Sequence, residues 1–304
     1  MPAISIEDLK KYYGQIKAVD GISLEVEERE IFGILGPNGA GKTTTLEMVE
    51  TLREPDSGRI TVRGLDVRKD ARALREIIGV QLQTTVFFDN LTVRETIDLF
   101  SAFYPRALSV GELVELAELG DKMGSRVKDL SGGQHKRLSI ALALVNDPSI
   151  VFLDEPTTGL DPQARRRIWE IVEHLQEQGK TVVITTHYIE EAEYLCDRVA
   201  VMDMGRVVAL GTPDRLIDEF VSESVISFRL HPPVDKSVVE GIAGVTSVQG
   251  EDGGYHVTTA APQETLMGIF AMAREREAVA DEINMKRATL EDVFLKITGR
   301  RIRE

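Results

Sequence analysis

The stretch Gly36-Pro37-Asn38-Gly39-Ala40-Gly41-Lys42-Thr43-Thr44 constrains this chain more than any other part of it. It fits Gly-x-x-x-x-Gly-Lys-[Ser/Thr], the spacing of a loop that wraps a phosphate group. Upstream, Ile31-Phe32-Gly33-Ile34-Leu35 is a short apolar run of the kind a buried parallel strand presents. Downstream, Leu46, Met48 and Val49 with Glu47 and Glu50 suit a helix. Glycines in such a loop let successive backbone N–H groups turn toward an anion, and the following helix N-terminus adds partial positive charge. Lys42 would then reach terminal phosphates and the Thr43 hydroxyl a divalent cation. The bland alternative is a glycine loop without a ligand.

The remaining pattern predicts a mostly parallel sheet covered by helices on both faces, an α/β class. Antiparallel strands are expected at Ala3–Ile6 and Ala18–Val26, with Tyr12-Tyr13-Gly14 as the turn between them. Leu91 to Leu119 reads as helical, broken at Tyr104-Pro105-Arg106, and a further helix starts at Ser131 and stops near Pro148. Apolar strands are expected at Ser149–Leu153 and Thr181–Thr185, with a helix from Gln163 to Gln178 between them. Composition shifts after Phe220, so we expect residues 1–220 to form one domain, with helical residues at about 84–147, and 221–304 a small α+β appendage.

Composition narrows the function. Fifty acidic against 36 basic residues give a net charge of −14, which argues against a general nucleic-acid binder. Cys196 is the only cysteine, so an internal disulfide and a Cys-rich metal site are both excluded. No apolar run approaches the roughly 18 residues of a membrane helix, and the N-terminus has no signal-peptide pattern. If the chain works at a membrane, another chain must supply the spans.

Three further motifs carry chemistry. Leu130-Ser131-Gly132-Gly133-Gln134 precedes a helix; it is either a second phosphate-binding nest or a glycine turn with a serine cap. Ile150 to Leu153 ends in Asp154-Glu155, adjacent carboxylates that a strand would project to opposite faces. Asp154 could then hold a cation and Glu155 polarise a water; the alternative is two solvated acids at a strand end. His187 follows the strand Thr181–Thr185 at the sheet edge where α/β folds bind ligands, and is either a phosphate contact or a structural histidine.

On these motifs, in this order, the chain resembles an ATP-binding cassette (ABC) ATPase, the nucleotide-binding subunit of an ABC transporter, over about residues 3 to 215. Gly36–Thr44 resembles its Walker A loop, Gln83 its Q-loop glutamine and Leu130–Gln134 its signature. Ile150–Glu155 resembles Walker B, Gly159-Leu160-Asp161-Pro162 the D-loop and Thr185-Thr186-His187 the H-loop. The likeness implies a P-loop NTPase with antiparallel β and helical subdomains, using ATP and Mg²⁺. It implies catalytic roles for Glu155 and His187, and ATP binding by Gly36, Pro37, Asn38, Gly39, Ala40, Gly41, Lys42, Thr43 and Thr44. Ser131, Gly132, Gly133 and Gln134 would act on the nucleotide of a second ATP-binding subunit, in a homodimer or heterodimer. Metal contacts fall to Thr43, Gln83 and Asp154, and coupling to Gln83 and Asp161. Tyr13 stands where the family's adenine-stacking aromatic lies, with Tyr12 the competing choice.

A narrower likeness is to the daunorubicin-resistance-type branch, carried by Thr185–Glu193, Gly211-Thr212-Pro213 and Ala288–Leu295. It implies a bacterial exporter of drugs, antibiotics or another amphipathic or polymeric substrate. The subunit would then sit peripherally on the cytoplasmic face of the membrane and energise a separately encoded integral permease. No nucleic acid and no covalent cofactor are expected. An importer ATPase and a non-transport ABC ATPase of DNA repair or translation are the competing readings. Phe87 and Phe88, beside Gln83, either receive the permease or belong to the helical core. Arg29 replaces the family's usual Gly, His135 follows the signature, and Phe103–Leu130 is short for the family.

Overall fold

A computed structural model describes residues 2–299 except 222, 252 and 287. The chain divides into two units, the second beginning at Asp214. The boundary therefore lies before Phe220, because the composition shift lags the start of helix α8 (Pro213–Phe220).

In the first unit, alternation of apolar and polar residues produces strands with one buried face. β1 (Ile4–Tyr13) and β2 (Ile16–Val26) pair antiparallel, burying Ile4, Ile6 and Leu9 against Ile22, Leu24 and Val26. The turn is Gly14-Gln15, not Tyr12-Tyr13-Gly14: both tyrosines remain in β1, and Gly14 takes the left-handed φ of 59°. β4 (Ser57–Val62) and β5 (Leu65–Asp66) complete this four-stranded sheet in the order β2-β1-β4-β5.

The second sheet holds the site. β3 (Ile31–Leu35), β6 (Ile78–Gln81), β7 (Ile150–Asp154), β8 (Thr181–Thr186), β9 (Arg198–Asp203) and β10 (Arg206–Gly211) run in the order β10-β9-β3-β8-β7-β6. All neighbours are parallel except the β9–β10 hairpin. β3, β7 and β8 are buried along their whole length, β3 as an unbroken apolar run and β7 and β8 with Asp154, Thr181, Thr185 and Thr186 buried at their ends. The connecting helices are α1 (Lys42–Val49), α2 (Ala71–Ile77), α6 (Pro162–Glu177) and α7 (Ile189–Leu195).

Between β6 and β7, the Leu91–Leu119 stretch is broken around Tyr104-Pro105-Arg106 as its sequence predicts, into α3 (Val93–Ser101) and α4 (Val110–Leu116), both shorter than the apolar pattern suggests. Each opens on a capping box, Thr92 with Glu95 and Ser109 with Glu112, which satisfies N-terminal N–H groups on both. They pack on α5 (Gly132–Ala143), which in turn lies against β6.

The second unit pairs β11 (Ser224–His231), β12 (Val245–Glu251), β13 (Gly254–Thr259) and β14 (Val279–Lys286) antiparallel in the order β12-β13-β11-β14. α9 (Lys236–Glu240) and α10 (Pro262–Glu275) complete a βαββαβ arrangement of ferredoxin-like topology. Ile226, Phe228, Leu230, Val257 and Ile269 form its core. α11 (Leu290–Thr298) follows, with its own capping box of Thr289 and Asp292.

Candidate active site

The glycine loop stands where β3 ends in the middle of the sheet, and α1 begins directly behind it. Two of its glycines are required by space. A Cβ on Gly36 would lie 2.4 Å from the Met202 carbonyl oxygen, and one on Gly41, whose φ is 102°, 2.2 Å from that of Ala18. Lys42 is only 4% exposed; its Nζ donates to the carbonyls of Gly36 (2.9 Å) and Pro37 (3.2 Å). The same Nζ lies 3.3 Å from Glu155 Oε1. A cavity of about 770 Å³ opens over the loop, lined by Asn38, Gly39, Gly41, Lys42, Thr43, Thr44, Gln83 and Glu155.

The two adjacent carboxylates have different surroundings, but not through strand alternation. Asp154 is the last residue of β7 and accepts hydrogen bonds from Thr43 Oγ1 (3.2 Å) and from the Thr185 hydroxyl. Burial pushes its carboxyl above the usual range, against the two hydroxyl donors. Glu155 has left the strand, at a φ of 45° that costs an L-residue about 1–2 kcal/mol. Its backbone N–H donates to Thr185 Oγ1 (3.0 Å), and the left-handed turn carries its side chain to Lys42. Gln83 Nε2 (3.2 Å) and Thr158 Oγ1 (3.1 Å) donate to Glu155 Oε2, and His187 Nδ1 stands 3.3 Å from it. Burial alone would raise this carboxyl; Lys42 first, then His187 and the hydrogen bonds from Lys42 and Thr158, outweigh it and hold Glu155 below the usual carboxylate range. A buried, ionised carboxylate at the mouth of a phosphate loop can accept a proton from an attacking water.

One contributor escaped the sequence reading. Lys136, on α5, donates from Nζ to the carbonyls of Gln83 (3.2 Å) and Glu155 (3.3 Å), tying the two segments together. Burial pushes its pKa down, with Asp154 and Glu155 opposing. Its position two residues beyond Gln134 is the only signal a sequence offers. Gln15, Ile16, Lys17 and Ala18 also line the cavity from the β1–β2 hairpin.

Other expected residues lie elsewhere. Ser131 is the N-cap of α5: its Oγ accepts from Gln134 N (3.3 Å) and its N–H donates to Gln134 Oε1 (2.8 Å). Ser131 and Gly132 are exposed, Gly133 and Gln134 partly so, and none of the four lines the P-loop cavity. Asp161 caps α6, accepting from Ala164 N at 2.9 Å. Tyr13 pairs across the hairpin with Ile16, and its ring carries Lys11 Nζ at 5.8 Å and the Arg53 guanidinium at 5.5 Å; it is not on the cavity wall. Tyr12 donates its hydroxyl to Asp20. Phe87 stacks on His135 with ring centroids 5.7 Å apart, whereas Phe88 is 63% exposed.

Comparison with known proteins agrees with this fold. The family model "ABC transporter" matches residues 19–158. The Nod factor export ATP-binding protein I of Paraburkholderia xenovorans is 42% identical over 313 residues, covering 99% of both chains. That of Rhizobium etli is 41% identical, covering 99% of this chain and 94% of its own. Among solved structures, a dimeric ATP-binding cassette in a post-hydrolysis state with ADP and Pi is 30% identical over 69% of this chain and 98% of its own, with a TM-score of 0.62. cbiO1 from Clostridium perfringens, part of the ABC transporter complex cbiONQ, is 31% identical, covers 72% and 91%, and superposes with a TM-score of 0.65.

Proposed function

The chain belongs to the ABC transporter family as an export-type ATP-binding and ATP-hydrolysing subunit, and we propose that its turnover rests on Glu155 as the base and on a second cassette as the other half of the site. The observation that carries this reading is the ring of Lys42, Gln83, Thr158 and His187 around one buried, ionised carboxylate. Lys42, held by the Gly36 and Pro37 carbonyls, is placed to meet terminal phosphates of ATP. Glu155 takes a proton from water, and His187 beside it steadies the charge.

A divalent cation fits the donors. Thr43 Oγ1 and Asp154 Oδ1 are hard oxygens 3.2 Å apart, and Mg²⁺ favours few protein ligands completed by water and phosphate oxygens. Mg²⁺ would be held by Thr43, Asp154 and Gln83 and would supply charge neutralisation on the phosphates.

The exposure of Ser131 and Gly132 at the N-terminus of α5, with Gly133 half-exposed behind them, supports a partner role for these three residues toward a second subunit's nucleotide. Such a subunit works with a membrane permease, at the cytoplasmic face. No helix among the described residues is long and apolar enough to cross a membrane. Gln83 joins Glu155 to the Thr84–Phe88 segment, and exposed Phe88 suits a permease contact. The cargo is exported and amphipathic or polymeric; the relatives named for Nod factor export support such a cargo. The likeness of Thr185–Glu193 and Ala288–Leu295 keeps the daunorubicin-resistance-type branch as our finer placement.

The test is Glu155→Gln. Steady-state ATP hydrolysis should fall by about 10²–10⁴-fold, while nucleotide affinity by calorimetry stays within a few-fold. Hydrolysis at the parental rate would remove Glu155 from the role of base.

A further inference from the structure

A second cavity of the first unit, about 290 Å³, lies where α1 and β6 meet α3 and α5. Its walls are mostly apolar, with Leu52, Val80, Leu82, Phe100 and Leu142 among them, yet Glu50 lines it too. Glu50 is 3% exposed, and its Oε1 is buried without a hydrogen-bond partner among the described residues. Arg75 lines the same cavity, but its Nε donates to Thr51 Oγ1 at 3.4 Å. An unpaired buried carboxyl costs several kcal/mol if ionised, so such a group calls for a counter-charge or a donor. Leu52 and Leu82, 55% and 43% exposed, carry the apolar surface outward from the cavity.

Resting on the reading of this chain as the ATPase of a membrane permease, we propose that the cavity receives a basic side chain, arginine or lysine, from that permease, with Glu50 as its counter-charge. The chemistry fits both ends of such a side chain. Its methylene stem matches the apolar walls and its charged head meets the carboxyl, the division of labour these side chains follow at interfaces. Burial, with Asp154 and Glu47 adding repulsion, pushes Glu50 up to about 8. An incoming cation would draw the proton off and convert a costly group into a paired one. The contact would also stand on the α1 that begins at Lys42, so an occupied cavity and an occupied phosphate loop load opposite ends of one helix.

The isolated, ¹⁵N-labelled full chain can be titrated with benzamidine, an aryl cation, and with its neutral counterpart benzamide. Saturable shifts at the amides of Gly79, Val80, Leu142 and Ala143 are expected with benzamidine, and at least tenfold weaker binding of benzamide. Glu50→Gln should erase that difference, with circular dichroism and melting confirming its fold; should it not fold, the two ligands on the parent chain still decide. Equal affinities, or shifts away from these amides, would overturn the proposal. In detergent, the complex of chain and permease should dissociate at least tenfold faster with Glu50→Gln, and an unchanged lifetime would also overturn it. A chain that hydrolyses ATP yet binds no permease would break the transporter reading, while the titrations judge the cavity by themselves.

Discussion

Two helix N-termini in this molecule are candidates for phosphate, and they are built in opposite ways. At α1, Lys42 is almost wholly buried and bonded to Gly36, Pro37 and Glu155, with Thr43 fastened to Asp154. At α5, Ser131 and Gly132 are exposed, and the side-chain chemistry is spent on a local cap with Gln134. The first is preassembled by the ends of β3, β7 and β8, three adjacent strands. The second is an exposed surface, and in our proposal it acts only when another surface meets it. Preorganisation at one end and exposure at the other is the arrangement expected of a site completed between two subunits.

The strongest blow to the preassembled half is Lys42→Ala. It removes the proposed phosphate contact and also leaves Glu155 buried without Lys42 beside it, a change of roughly 3–5 kcal/mol for broken buried pairs. ATP affinity should drop by at least about a hundredfold on that scale, and the melting temperature should fall as well. Calorimetry reads the first and a thermal melt the second. A variant that keeps its affinity would mean that the loop backbone holds the nucleotide without this side chain.

The exposed half is probed with two substitutions at one residue. Ser131→Ala deletes both the cap and any outward contact, whereas Ser131→Asn keeps capping ability. Ser131→Ala should lose about 1 kcal/mol of stability, and both should lower turnover by roughly 10²-fold, the scale of one lost transition-state donor. Nucleotide affinity of the isolated chain should stay unchanged in both. Normal turnover with Ser131→Asn would reduce Ser131 to a helix cap and erase the contrast between the two termini.

The two halves were not equally legible. Spacing exposed both glycine motifs, but only the first has backbone that demands glycine, as the crowding at Gly36 and Gly41 shows; at the second, a Cβ on Gly132 would stand in open space and one on Gly133 would meet only the Ala164 Cβ. Ser131 as a cap was also readable. The break between α3 and α4 was legible at Tyr104-Pro105-Arg106, whereas their starts, marked by the capping boxes Thr92-Glu95 and Ser109-Glu112, were masked by apolar periodicity. The convergence on Glu155 was not. Period-two alternation assumes that a strand continues, and Glu155 abandons it through a left-handed backbone. Lys136 belongs to a helix 19 residues before Glu155 and touches only backbone carbonyls, which no residue pattern announces.

Lys136 gives the next smaller effect. It fastens Gln83 to Glu155 without touching the cavity wall, so it is a positioning residue. Lys136→Met keeps the stem and removes the ammonium. The loss of charged hydrogen bonds of about 1.5 kcal/mol corresponds to roughly tenfold in kcat. KM for ATP should hold. A fall in affinity with kcat intact would instead make Lys136 part of the binding surface.

The smallest effect compares two left-handed residues. Glu155, at φ 45°, uses that conformation to bring its carboxylate to Lys42; Arg29, at φ 64°, uses it only to turn the chain into β3. The Arg29 turn is held by backbone groups, its N–H donating to Thr181 Oγ1 (2.9 Å) and its carbonyl accepting from Gln176 Nε2 (3.1 Å). Neither bond needs the side chain. Arg29→Gly relieves about 1–2 kcal/mol of steric cost and adds roughly 0.5–1 kcal/mol of unfolded-chain entropy. A net gain below about 1 kcal/mol should appear as a melting temperature raised by roughly 1–3 °C, with turnover unchanged. Glu155→Gly would relieve similar strain and lose the reaction. A lowered melting temperature with Arg29→Gly would show that the guanidinium stem packs on Gly179, near which its Nε lies, strongly enough to justify the strain.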